Sequence, residues 1–210
     1  SFSMYSLLLA VIYLAFISLG LPDSLLGSAW PVMHKAFQVP LSYAGLVTMI
    51  ISVGTICSSL MSERLTKKFG TQIVTVFSVM LTAIALFGFS TASAFWMLCL
   101  WAVPYGLGAG AIDAALNNYV AIHYNSRHMS WLHCFWGLGT IISPYVMSYA
   151  LTTSVWQNGY RMVSFIQIGI TLILFVTLPI WKVNKKETAQ EEKAEEEMVG
   201  IKGALKIKGV

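Results

Sequence analysis

The sequence predicts an all-α membrane protein whose six transmembrane helices form two inverted three-helix repeats. Three observations lead to this fold class. Of the 210 residues, 57% are hydrophobic and only 10% are charged, whereas a soluble domain carries about 25% charged residues. Six apolar stretches reach the ~20 residues that a membrane-spanning helix needs. Two short motifs also occur twice, in the same order.

The apolar stretches are separated by polar or proline-containing breaks. Pro40 stands before the second stretch, SERLTKKFGTQ at residues 62–72 follows it, and HYNSRHMS at residues 123–130 separates the fourth from the fifth. Small residues in the fifth stretch, Gly137 and Gly139, predict close packing against a neighbouring helix. We predict spans at residues 5–32, 41–61, 71–91, 95–122, 131–151 and 162–181.

The two ends of the chain have a different composition. Residues 1–3 precede Met4 and are interpreted as a cloning remnant, which leaves a predicted membrane domain at residues 4–182. Residues 183–210 contain six of the nine acidic residues and no apolar stretch of spanning length. They predict a charged cytoplasmic linker.

Basic residues predict the orientation, because cytoplasmic loops are enriched in Lys and Arg. Two bases, Lys35 and Arg161, lie on one side of the predicted spans. Seven lie on the side that carries both chain ends: Arg64, Lys67, Lys68, Arg127, Lys182, Lys185 and Lys186. We therefore predict a multi-pass protein of the cell membrane with both termini in the cytoplasm. The net charge of +4 follows from these clusters, so no nucleic-acid partner is expected.

Two motifs repeat along the chain. Residues 20–23 read GLPD and residues 110–113 read GAID. One span later, residues 54–58 read GTICS and residues 139–143 read GTIIS. A unit of three spans is therefore repeated, and because three is odd, the copies insert with opposite orientation. Inverted repeats are the architecture of many secondary transporters.

Two carboxylates, Asp23 and Asp113, occupy equivalent positions in the repeat. A charged side chain at the centre of a membrane helix costs ~2.5–3.5 kcal/mol on insertion scales, and such residues face a bundle interior or a watery cavity. A carboxylate in low-dielectric surroundings holds a proton more readily than one in water. Both are predicted as proton-coupling residues; the alternative for each is a structural hydrogen bond.

Neighbouring polar residues are candidates for solute binding. Asn117 lies one turn after Asp113 on the same helix face, and Asn118 lies about 100° further round. A carboxylate beside an amide suits a polyhydroxylated ligand. On the fifth span, His133 and Trp136 share a face. His133 is predicted to bind solute or relay a proton, and Trp136 to stack on a sugar; the alternatives are a histidine bonded to a carbonyl and a packing tryptophan.

These residues resemble the major facilitator superfamily. Within it, GAGAIDAALNNYVA at residues 108–121 and MSWLHCFWGLGTIISPY at residues 129–145 resemble the fucose-permease-like sugar transporters. The resemblance covers residues 5–181 and implies the amino-terminal half of a twelve-helix facilitator fold that works by alternating access. That family carries an acid in span four with an asparagine four residues later. Asp113 and Asn117 match this pattern, which implies a proton-coupling role for Asp113.

The segment after the second span resembles the superfamily's basic loop motif. Lys68 and Gly70 match the motif, whereas Lys67 stands where the motif has an acid. The resemblance implies a gating loop that contains Arg64, Lys67, Lys68 and Gly70. In span one the match is weaker, because the family's acid lies one turn after the position of Asp23.

The sequence thus predicts half of a secondary transporter that takes up a sugar or similar small polar solute together with protons. Its expected partners are the solute, the lipid bilayer, and a carboxy-terminal half or a second copy of the chain. The proton is the expected coupling ion, with no cofactor and no metal. No enzyme is predicted, because the sequence has no metal-ligand spacing, nucleophile–base pattern or phosphate loop. The alternatives are a six-span receptor or scaffold, and a drug or metabolite exporter of the same superfamily.

Overall fold

The computed structural model describes residues 4–181, 197–201 and 203. Within these residues the regular structure is helical, and six spans are long and apolar enough to cross a membrane. The predicted all-α protein with six spans is confirmed. The predicted linker at residues 183–210 lies mostly outside the described residues. The helices are α1 Met4–Gly20, α2 Leu25–Ala36, α3 Ala44–Phe69, α4 Thr71–Thr91, α5 Phe95–His123, α6 Ser126–Thr153 and α7 Trp156–Val176.

The charged segments between spans are helical, which corrects the predicted boundaries. The bounds of α4 are those predicted, but α3 continues to Phe69, so that Gly70 is the only residue between α3 and α4. In the same way α6 begins at Ser126 and α7 at Trp156, five and six residues before the predicted starts. With 26 residues, α3 is about 39 Å long at 1.5 Å per residue. Because the hydrocarbon core is only ~30 Å thick, the polar turns at the end of α3 extend beyond the core.

A four-residue turn, residues 21–24, divides the first span into α1 and α2. Pro22 has no backbone N–H to continue the helical hydrogen bonds. The N–H of Asp23 donates to the carbonyl of Gly20 at 3.2 Å, and the N–H of Leu25 donates to the carbonyl of Pro22 at 3.1 Å. These are shorter, three-residue connections. The sequence predicts a single span here, whereas the structure presents Asp23 from irregular backbone between two helices.

The inverted repeat appears in how the helices cross. A Cβ atom at Gly139 of α6 would lie 2.5 Å from the carbonyl oxygen of Ile17, and one at Gly20 of α1 would collide with the α6 backbone. On the other side of the bundle, a Cβ at Gly110 of α5 would lie 2.5 Å from the carbonyl oxygen of Thr55 on α3. Span one thus crosses span five as span four crosses span two. These residues belong to the repeated motifs, so the motifs mark equivalent helix crossings.

Polar side chains of the sixth span hold helices together. Gln167 of α7 donates from Nε2 to the carbonyl of Ser18 at 2.6 Å, and Ser164 donates to the carbonyl of Ala83 at 2.8 Å. All of these groups are buried. α7 therefore joins α1 and α4. The amide of Gln167 has a structural role, since it binds the backbone of α1.

Candidate functional site

An open cavity of about 350 Å³ lies between the helices of the bundle, and we call it the central cavity. Spans one, two, four and five contribute its walls, whereas α4 and α7 contribute none of the lining residues that the structure describes. Its lining residues are Phe16, Leu19, Asp23, Ile51, Thr55, Tyr105, Ala109, Asp113, His133 and Trp136. Four predicted site residues, two acids and two from α6, therefore come together in one place.

Asp23 accepts hydrogen bonds from two other helices. The hydroxyl of Tyr105 on α5 donates to Oδ1 at 3.2 Å, and the indole N–H of Trp136 on α6 donates to Oδ2 at 3.1 Å. The carboxylate thus connects the turn in span one to α5 and α6. The indole of Trp136 is used here as a hydrogen-bond donor, a contact that neither sequence-based alternative included.

Tyr105 is a site residue that the sequence analysis missed. Its side chain is buried, and its hydroxyl reaches Asp23. The available signal was spacing, because Tyr105 precedes Asp113 by eight residues, and positions i and i+8 lie on one helix stripe.

Asp113 is held from its own helix. Asn117 donates from Nδ2 to the Asp113 carboxylate at 2.7 Å and to its backbone carbonyl at 2.8 Å. Among the described residues no other helix donates to this carboxylate. His133 lines the same cavity, and both His133 and Asp23 are near enough for an electrostatic interaction with Asp113. The amide of Asn117 therefore orients Asp113, while the carboxylate stays open to the cavity.

Asn118 lies away from the central cavity. It lines a separate cavity of about 600 Å³ between α3 and α5, toward the end of the bundle that carries Gly70. Ser59, Ser62 and Glu63 line this second space with it. The 100° rotation from Asn117 is enough to turn Asn118 toward α3, so the structure does not group it with Asp113.

The predicted gating residues lie at the end of α3 rather than in a loop. Lys67 forms an exposed ion pair with Glu63, with Nζ and Oε1 2.8 Å apart on successive turns. The ammonium of Lys68 lies 5.2 Å from the ring centre of Phe69. The side chain of Arg64 is exposed. Gly70 has a φ of 86°, a conformation that glycine adopts without steric cost. It reverses the chain directly into α4.

Comparison with known proteins fits this architecture. Residues 12–208 match the Major Facilitator Superfamily. The chain belongs to this superfamily. The match includes every span except the first turns of α1, and members of the superfamily are transporters rather than enzymes. The predicted resemblance is therefore confirmed at the level of the superfamily.

The chain is also similar to two curated proteins. The chain is 24% identical over 164 residues to Bypass of stop codon protein 6 of Saccharomyces cerevisiae. The matched region covers 76% of this chain and 33% of that protein. It is 22% identical over 182 residues to the glucose/mannose transporter GlcP of Bacillus subtilis. This matched region covers 85% of this chain and 44% of that protein. The chain thus spans less than half the length of these relatives.

Proposed function

We propose that this chain is the amino-terminal half of a proton-coupled importer for a sugar or similar small polar solute, of the fucose-permease-like kind. The central cavity carries the proposal. It combines two carboxylates, Asp23 and Asp113, with the donor groups of Tyr105, His133 and Trp136. Such groups match the hydroxyls of a sugar, and aromatic rings suit its apolar faces. The similarity to a glucose/mannose transporter supports the same solute class.

We assign the proton to Asp113. Among the residues that the structure describes, its carboxylate is hydrogen-bonded only to Asn117 on the same helix, so taking up a proton breaks no bond between helices. Asp23, in contrast, joins three helices through its two oxygens. Proton uptake at Asp113 therefore changes the charge of the cavity while leaving the bundle packed. This suits a group that must charge and discharge in every transport cycle.

The remaining partner in this proposal is the carboxy-terminal half of the transporter, or a second copy of the chain. In the most apolar 18-residue stretches of the spans that contain α3 and α6, only 17% and 22% of residues are buried, against 67% for α4. Large apolar residues such as Leu60 of α3 and Ile141 of α6 are exposed. These spans carry walls of the central cavity, so a partner seated on them would close it. α4 is already packed within this half.

The topology prediction is tested by reporter fusions. We expect a reporter fused at either end of residues 4–210 to be active in the cytoplasm, because seven bases lie on that side and two on the other. Phosphatase and fluorescent-protein fusions read the two sides independently. A phosphatase that is active at either end would place that end outside the cytoplasm and would contradict the predicted orientation.

The function is tested by uptake into energised cells or vesicles that contain the full-length protein. We expect labelled D-glucose, or another sugar of a labelled panel, to accumulate against its gradient, and a protonophore to abolish this accumulation. If no sugar entered but the imposed proton gradient drove solutes outward, the protein would be an exporter. If neither flux occurred, the receptor alternative would replace transport.

A further inference from the structure

A third cavity, of about 500 Å³, meets the central cavity at Asp23, and we call it the vestibule. It is open on one side and is lined by α2, by the first two turns of α3, which include Thr48, by Leu86 and Phe89 of α4, by Tyr105 of α5 and by Tyr160 of α7. Its walls are mostly aliphatic and aromatic, and Asp23 is the only charged residue among the described residues that line it. Three residues line both the vestibule and the central cavity: Asp23, Ile51 and Tyr105. These residues form the partition between the two spaces.

The two groups that donate hydrogen bonds to Asp23 in this partition differ in their freedom to move. Tyr105 is 4% exposed and its ring packs on Phe89, with ring centres 6.2 Å apart. Trp136 is 39% exposed and lines only the central cavity. Asp23 lies in the turn between α1 and α2. Its backbone N–H makes a three-residue hydrogen bond to the carbonyl of Gly20 instead of an α-helical one. Tyr105 is thus the fixed side of the partition, while the ring of Trp136 borders the open space of the central cavity.

We propose that Asp23, Tyr105 and Trp136 form a gate between the vestibule and the central cavity. A hydroxyl group of the solute opens this gate by replacing the indole N–H of Trp136 at the Asp23 carboxylate. The identity of the solute rests on the proposed function, whereas the gate itself rests on the two cavities and the hydrogen bonds that separate them.

The exchange is chemically balanced. An indole N–H is only a donor, whereas a solute hydroxyl both donates and accepts. When the hydroxyl donates to Oδ2 of Asp23, the carboxylate keeps two hydrogen bonds, and the released indole is free to face the solute. A solute without a hydroxyl at that position leaves the carboxylate with one bond when Trp136 swings away. Asp23 is therefore a selectivity residue, and Tyr105 is the residue that positions it.

Thiol labelling tests the gate without any assumption about the solute. In full-length protein with its native cysteines replaced, one cysteine is introduced either in the vestibule, as Thr48→Cys, or in the central cavity, as Ala109→Cys. A membrane-impermeant maleimide is added to intact cells from the vestibule side. We expect rapid labelling at position 48 and slow labelling at position 109. Adding Trp136→Phe removes the indole donor and is expected to speed labelling at position 109 about tenfold, since a bond to a charged group is lost.

Trp131→Phe provides the matched control. It makes the same substitution on the same helix, but Trp131 lines neither cavity. We expect it to leave both labelling rates unchanged. Equal labelling of Ala109→Cys with and without Trp136→Phe would overturn the gate, and so would an equal acceleration by Trp131→Phe.

Solute experiments then separate the gate from the proposed function. D-glucose is expected to speed labelling of Ala109→Cys, and at least one single-deoxy glucose to lose this effect. Tyr105→Phe is expected to raise the KM for glucose about tenfold with a smaller change in kcat, because it loses one bond to the Asp23 carboxylate. Tyr160→Phe, another buried tyrosine of the vestibule, is the control. If glucose had no effect in any assay while Trp136→Phe still opened position 109, the sugar proposal would fail and the gate would stand.

Discussion

Asp113→Asn is expected to abolish uphill, proton-driven accumulation of solute in the full-length transporter while leaving downhill exchange intact. The asparagine keeps the shape of the side chain and an oxygen for the amide of Asn117, but it has no titratable group. Binding and rocking of the two halves therefore continue, whereas a proton no longer travels with the solute. The measurement compares accumulation in energised vesicles with exchange of labelled solute across de-energised ones.

Glu197→Gln supplies the control for this substitution. It also replaces one acid by its amide, at an exposed position far along the chain from the bundle, so we expect both fluxes to match the wild type. Accumulation that persisted in Asp113→Asn would make Asp113 a structural residue and place coupling elsewhere. Loss of exchange and of binding together would make its carboxylate a solute ligand first.

Gly139→Ala is expected to destabilise the bundle strongly. The added Cβ would lie 2.5 Å from the carbonyl oxygen of Ile17 and 2.8 Å from the amide nitrogen of Leu21. Both are backbone atoms, so no side chain can rotate away, and α1 must separate from α6. Overpacking of this kind costs about 1–3 kcal/mol. The thermal unfolding midpoint of the purified full-length protein in detergent measures the effect.

Gly137→Ala is the matched control, two residues earlier on the same helix. Apart from its own stretch of helix, nothing lies within 4 Å of a Cβ at Gly137, so the close packing predicted for this glycine is wrong. Alanine is the better helix former by about 1 kcal/mol. Its midpoint should equal or exceed that of the wild type. Equal losses from the two substitutions would contradict the assignment of the loss to the close crossing of α1 and α6 at Gly139.

The helical spans were predictable because they follow from apolar composition alone. The bounds of α4 are an example, since its apolar stretch ends at both sides in residues that break the pattern. The turn at residues 21–24 was not predictable in the same way. Pro22 is a local signal for a break, but Gly20, which precedes the turn, packs against the backbone of α6, a contact between segments more than a hundred residues apart. Hydropathy contains no information about such a contact.

In the candidate site, too, contacts within one helix were predictable and contacts between helices were not. The pairing of Asp113 with Asn117 is a one-turn spacing on one helix, and helix geometry makes it readable from the sequence. The bonds from Tyr105 and Trp136 to Asp23 join residues 82 and 113 positions apart. They exist only once α1, α5 and α6 are packed. The repeated motif indicates that Asp23 faces the bundle interior, but the tertiary structure decides which groups it meets there.

The most direct measurement of proton coupling is the external pH during sugar entry. Lightly buffered, de-energised cells that contain the full-length protein are given the transported sugar, and a pH electrode follows the medium. We expect the medium to become alkaline as sugar enters, with no such change in cells that carry Asp113→Asn. Sugar entry into wild-type cells without a change in external pH would contradict proton coupling.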